Sequence, residues 1–321
     1  MHPARYRQAL ATVLLTGAVA LLGAGCGGAG AGKGGPEPAL GPVAANPAAS
    51  EISLPLDAYT DSDAETRRMD GAQDRLTAQC MARYGFVYEA PARPAGDGTS
   101  QERHRDLFGV TDPAQAASRG YGRASGEAAP AKPAPPQLGD SAAAVLFGKG
   151  PGGNSPSGPD PRSQEEAEAA DSGIAVGGQR VPVGGCLREG YRKLYAPTKD
   201  SVDLLFAFGL ASDAHTRSQK DSRVTAVLQK WSACMDQAGY GGVATPYEVV
   251  EKLGLGGDPA GPKAVAAATA DVACKREVNL VGVWAAVERA YQERLVEENA
   301  ETLALYKRQR EARLRMAASL V

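Results

Sequence analysis

Between Ser62 and Gly85 the apolar or small residues Met69, Ala72, Leu76, Cys80 and Tyr84 recur every three or four positions, the period of one buried face of an α-helix. The pattern predicts a helix that opens on a capping box, Ser62 with Glu65, and runs to Tyr84. Gly85 stops it in a left-handed turn, with Phe86 folding back onto the last turn. A second stripe, Val224, Val227, Leu228, Trp231 and Cys234, predicts a helix starting at Asp221, and "DSVDLLFAFGLASDAHTRSQK" predicts another starting at Asp200. From Pro262 to Met316 only Gly282 interrupts helix-forming sequence, and Leu280, Trp284, Val287, Tyr291 and Leu295 supply its packing stripe.

Shorter elements lie between. "TDPAQAASRGY" predicts a short helix capped by Thr111 or Asp112 and stopped at Gly120. "LREGYRKLY" predicts a helix up to Pro197, and "TPYE" a helix start with Thr245 as cap, Pro246 at the first position and Glu248 closing the box. One strand signal stands out: over 174–183, Val176 and Val181 flank a Gly177-Gly178 turn, a hairpin that delivers Cys186 to the core. The fold class expected is mainly α, two disulfide-stapled helical units over 58–199 and 200–321 with a minor β-hairpin. Glycine, alanine and proline dominate residues 27 to about 50 of the segment 26–57, as they do 90–100 and 122–162, and such composition buries too little apolar surface to offset ordering entropy. These segments are expected to be a disordered tether and a flexible insert.

The N-terminus carries an address. Arg5 and Arg7 precede an uncharged run of 17 residues, Ala9 to Gly25, which ends at Cys26. Gly23, Ala24 and Gly25 are small enough for a bacterial lipoprotein cleavage site, and the segment resembles a lipobox, although Gly23 stands where leucine is usual and Leu22 lies one place further back. Residues 1–25 then form a signal peptide and Cys26 the lipidation site. Two or more acyl chains anchor a protein stably, so the expected localisation is extracytoplasmic, lipid-anchored to the cell membrane. The alternatives are a cleaved secreted form and a spanning helix, for which the run is at the lower length limit.

Without Arg5 and Arg7 the chain holds 33 basic and 37 acidic residues, a balance with no cationic footprint for nucleic acid. Four cysteines follow Cys26, namely Cys80, Cys186, Cys234 and Cys274. An even number on the oxidising side of a membrane predicts two disulfides, with three pairings open. Cys80 with Cys186 and Cys234 with Cys274 is favoured, because each pair stays inside one half of the chain. Gaps of 106, 48 and 40 residues lack the close ligand pairs of a zinc site. "CMARYGF" at 80–86 and "CMDQAGY" at 234–240 share C-M-x-x-x-G-aromatic, which sets each thiol near a helix end, by duplication or by convergence.

With "GGCLREGYRKLY", "ADVACKREVNL" and "VERAYQERLVEENAETLALYK", these motifs resemble a family of uncharacterised secreted or lipid-anchored proteins of actinobacteria. The resemblance covers most of 60–310 apart from the insert. It implies helical, disulfide-bearing envelope proteins and transfers no activity.

Several motifs imitate chemistry. "GCGGAG" at 25–30 satisfies G-x-G-x-x-G and Gly27 to Lys33 approaches a phosphate loop, yet neither has the strand-to-helix context such loops need. His104 and His215 sit among charged or polar neighbours and read as solvated surface. Neither G-x-S-x-G nor H-E-x-x-H occurs. Glu165, Glu166 and Glu168 read as the solvated face of a short segment, Trp231 and Trp284 as core, and Leu204, Leu205, Phe206 and Phe208 as core before docking patch. No catalytic residue, metal ligand or cofactor is assigned. The function expected is a non-enzymatic envelope lipoprotein with a binding or scaffold role. Its membrane contact is the lipid anchor. Its partner, an envelope protein or anionic wall polymer, is expected at the C-terminal helix, where Leu303, Leu305 and Tyr306 outlast the stripe and Lys307, Arg308, Arg310, Arg313 and Arg315 follow. The alternative is an enzyme acting on cell-wall polymer through unidentified carboxylates. A solute-binding protein is weaker still, since the strand-helix alternation of two-lobed folds is missing.

Overall fold

The computed structural model describes residues 36–91, 104, 107–122, 138–150 and 160–321. The signal segment and Cys26 lie outside the described residues, as does part of the insert. In chain order the elements are α1 Asp63–Arg83, α2 Pro113–Arg119, α3 Asp140–Phe147, α4 Gln164–Ala169, β1 Ala175–Val176, β2 Gln179–Arg180, α5 Gly185–Tyr195, α6 Phe206–Ser218, α7 Ser222–Gln237, α8 Val249–Lys252, α9 Pro262–Glu277, α10 Leu280–Glu298 and α11 Ala300–Leu320. The fold is thus mainly α with one two-stranded antiparallel sheet, in which Ala175 pairs with Arg180 and Val176 with Gln179. No helix among the described residues is long and apolar enough to cross a membrane.

Pro38–Val321 forms one compact unit. Its largest core lies between α6, α7, α9 and α10, where Trp231 and Trp284 are fully buried among Val224, Leu228, Val287 and Leu295. A second core holds Met81, Val145, Leu146 and Val181 around Cys80 and Cys186. A third joins α1, α5 and α11 through Met69, Leu76, Leu194 and Ala317. The disulfides are Cys80–Cys186 and Cys234–Cys274, with Cα atoms 5.5 and 5.6 Å apart.

The two copies of C-M-x-x-x-G-aromatic end their helices alike. Phe86 N donates to Met81 O at 3.2 Å and Tyr240 N to Met235 O at 2.8 Å, the bond of a Schellman stop. Each methionine is fully buried, and each neighbouring cysteine reaches its partner on another helix. At the other end of α1 the Ser62–Glu65 capping box forms as expected.

Elsewhere the chain departs from its local pattern. The expected helix from Pro262 to Met316 is three helices. Asn279 adopts φ 52 and its side chain accepts Asn46 N at 2.7 Å and donates to Ala44 O at 2.9 Å, while Asn299 breaks the second junction with φ −117 and a bond to Leu295 O. Gly282 does not interrupt α10; a β-carbon there would lie 2.0 Å from Ala44 O, so it makes room for the crossing strand of chain. Residues 44–57, expected as tether, lie on the core, with Leu54 and Leu56 buried. Leu56 N donates to Gln292 Oε1. In the expected insert, α3 forms and buries Val145 and Leu146.

The helix expected from Asp200 begins only at Phe206, because Gln309 of α11 bonds Val202 N and Asp200 O and holds that stretch non-helical. Leu205 and Phe208 then face solvent, at 65% and 69% exposure, where core was the first expectation. The helix expected to start at Pro246 with Thr245 as cap begins only at Val249, with Glu248 in the cap position, and is the four residues of α8. The terminal helix also differs: Leu303 and Tyr306 are buried, α11 packs along α1, and Arg310 pairs with Asp61 and Glu65. Leu303 and Tyr306 are thus covered by the helix's own chain, and Leu305 is half-buried.

Candidate functional site

Between the end of α1, α4, the hairpin and α5 lies a pocket of about 330 Å³. Its frame follows from the Cys80–Cys186 bridge, which fixes the start of α5 to the end of α1. Gly190 lets the two helices close further, since a β-carbon there would meet Thr77 Oγ1 at 2.7 Å. Glu189, one turn after Cys186, is 4% exposed and accepts both Arg83 Nη2 and Lys193 Nζ at 2.5 Å. Burial pushes its pKa up, but the hydrogen bonds and charges of Arg83 and Lys193 outweigh that and hold it below the ordinary glutamate value.

Arg192 lines the same pocket and is 2% exposed. Its Nη2 donates to Val183 O at 2.6 Å, whereas Nε and Nη1 find no hydrogen-bond partner among the described residues. Burial draws its pKa down. On α4, Gln164 donates through Nε2 to Glu168, while its buried Oε1 finds no partner among the described residues. Arg180 of β2 is exposed on the lining. The pocket therefore carries four cations against two carboxylates, Glu168 and Glu189, the latter already neutralised twice. Native structures leave few buried polar groups unpartnered, so the unpartnered donors on Arg192 and acceptor on Gln164 in one cationic pocket make it the candidate site for a polar ligand.

No protein-family model, curated protein or solved structure matches this chain.

Two other polar clusters are closed on themselves. His215, expected as solvated surface, stacks on Trp284 with interplanar angle 2° and centroids 5.7 Å apart. Its Nδ1 lies 3.2 Å from Glu288 Oε2 and its Nε2 3.0 Å from both Tyr247 Oη and Gln219 Nε2. Tyr247 donates its hydroxyl proton to Leu107 O. In the neutral tautomer with the proton on Nδ1, the ring donates to Glu288 and accepts from Gln219. Ser218 Oγ sits 2.7 Å from Glu288 Oε2 and accepts the Trp284 indole N–H at 2.9 Å. Serine and histidine thus address one carboxylate rather than each other, so the trio lacks the nucleophile-to-base hydrogen bond of acyl-transfer triads. Burial pushes the Tyr247 phenol well above its ordinary pKa, with the Glu288 charge adding to it.

The second cluster is the Asp271–Lys275 pair, 2.9 Å apart and almost wholly buried. Trp231 Nε1 donates to Asp271 at 2.9 Å, Tyr121 Oη at 3.3 Å, and Lys275 donates to Val110 O at 2.7 Å. Burial raises the Asp271 pKa and lowers that of Lys275. The pair ties α9 to α7 and to the segment before α2.

Of the residues singled out by sequence, the four cysteines bracket these sites as staples, and Cys26 lies outside the described residues. His104 is also not solvated surface: its Nε2 lies 3.0 Å from Asp57 Oδ2 and its side chain is 11% exposed. Glu165, Glu166 and Glu168 lie exposed on α4. Arg192 and Gln164 carried no sequence signal, since one is the second of two arginines in "LREGYRKLY" and the other opens a short acidic helix.

Proposed function

We propose that this protein is a non-enzymatic cell-envelope lipoprotein, held outside the cytoplasm by lipid on Cys26, which binds another, anionic component of the envelope. The observation that carries the binding role is Arg192, a buried guanidinium with unpartnered nitrogens in a pocket with a cationic surplus. The two disulfides support an oxidising location. The pocket beside α5 is a better-founded contact than the C-terminal helix, whose Leu303 and Tyr306 pack inward and whose solvent-facing cations include Lys307, Arg308 and Arg315. The test is crosslinking of the full chain in intact membranes followed by co-purification. A crosslinked envelope component that disappears with Arg180→Ala and Arg192→Met supports the reading. An identical crosslinking profile for wild type and both variants rejects it.

A further inference from the structure

Resting on that reading, we infer that the α5 pocket binds the phosphate monoester of a polyol or sugar. Three properties of the pocket select this chemistry. The first is charge: among the described lining residues Arg83, Arg180, Arg192 and Lys193 stand against Glu168 and Glu189, and a phosphate monoester carries about −1.5 to −2 at neutral pH, which fits the surplus better than a carboxylate does. Asp160, whose charge also reaches Arg192, is paired with Arg188.

The second is donor geometry. Arg192 holds its guanidinium in place through Nη2 on Val183 O, while Nε and Nη1, on different edges of the group, have no partner among the described residues; an oxyanion that reaches either edge gains a charge-assisted hydrogen bond. The third is the opposite polarity at Gln164 Oε1, a buried acceptor with no donor. The P–OH of inorganic phosphate sits on the anion that the cations hold, whereas a hydroxyl of a polyol or sugar extends from the phosphate and can donate to Gln164 at the same time. The volume of about 330 Å³ lies at the small end of ligand pockets, suited to one phosphorylated unit.

The experiment is isothermal titration of the purified full-length mature chain with sn-glycerol 3-phosphate, inorganic phosphate and glycerol. Glycerol 3-phosphate is expected to bind, inorganic phosphate about tenfold more weakly, and glycerol not at all. Arg192→Met should weaken glycerol 3-phosphate at least about tenfold, and Arg180→Ala, an exposed site that leaves the fold intact, about threefold or more. Gln164→Ala should bring glycerol 3-phosphate down to the affinity of inorganic phosphate while leaving the latter unchanged. No heat from glycerol 3-phosphate, or binding insensitive to all three variants, overturns the inference. Retention of the chain on an isolated envelope fraction separates this from the broader reading. Retention released by glycerol 3-phosphate places the monoester on an envelope component and supports both. Titratable binding without retention keeps the inference with a soluble monoester and rejects an envelope-borne partner. Retention that Arg192→Met abolishes but glycerol 3-phosphate neither releases nor, in the titration, binds overturns the inference alone and keeps the broader reading.

Discussion

A β-carbon on Gly185 would lie 2.4 Å from the backbone nitrogen of Gly148, so α5 begins where α3 ends, backbone against backbone. Both residues also adopt positive φ, 72 and 63, and this contact sets the residue before Cys186 and with it the start of the pocket helix. Gly185→Ala is expected to destabilise the protein by about 2–4 kcal/mol, left-handed strain plus displacement of α3. Gly177→Ala, at φ 59 in the open hairpin turn with nothing within 4 Å, should cost only about 1–2 kcal/mol. Urea denaturation of the two variants checks the ordering.

The disulfides close loops of unequal length, with separations of 106 and 40 residues. In the chain-entropy model they contribute up to about 5 and about 4 kcal/mol. Replacing Cys80 and Cys186 by alanine should therefore lower the unfolding temperature more than replacing Cys234 and Cys274. Either should exceed the loss from a typical core truncation. Calorimetric scans that rank the pairs the other way would show that native-state effects outweigh loop entropy.

Acid titration should single out Glu189. Its folded pKa is below the unfolded value near 4.5, so the folded state binds fewer protons there. The stability it contributes is complete above that value and is lost as pH falls through the folded pKa. Glu189→Gln should flatten the fall in unfolding free energy below about pH 4.5, measured against wild type by chemical denaturation at successive pH values. A wild-type slope in the variant would remove Glu189 from the acid limb.

Ser218 links Trp284 to Glu288. Ser218→Ala takes away the acceptor of a fully buried indole N–H and a donor to a buried carboxylate, which should cost about 1–3 kcal/mol and shift the tryptophan emission. Unchanged emission and stability would mean the network repacks around the loss.

Cys26→Ser should abolish incorporation of labelled fatty acid and release of a mature form by lipoprotein signal peptidase. Wild-type protein that takes up no lipid would defeat the anchor assignment.

Local sequence determined the helices whose signals are short-range. Ser62 and Glu65 form their capping box, Asp112 and Asp221 cap their helices, the Gly177-Gly178 turn makes its hairpin, and Trp231 and Trp284 are core. Each is decided within about one helical turn, where spacing and capping chemistry carry the information. Cysteine count and position along the chain sufficed to favour the pairing that forms. Tertiary contacts decided the rest. Asn279 breaks the long helix because distant Asn46 and Ala44 bond its side chain, and Asp200–Leu205 stay out of α6 because Gln309 holds them. His215 became a half-buried hub only when α6, α10 and Tyr247 met. The pocket was illegible for the same reason. Whether an arginine is solvated or buried with unpartnered nitrogens depends on which helices close over it, and in Arg192 that closure comes from α1, α4 and the hairpin, brought together by a bridge spanning 106 residues.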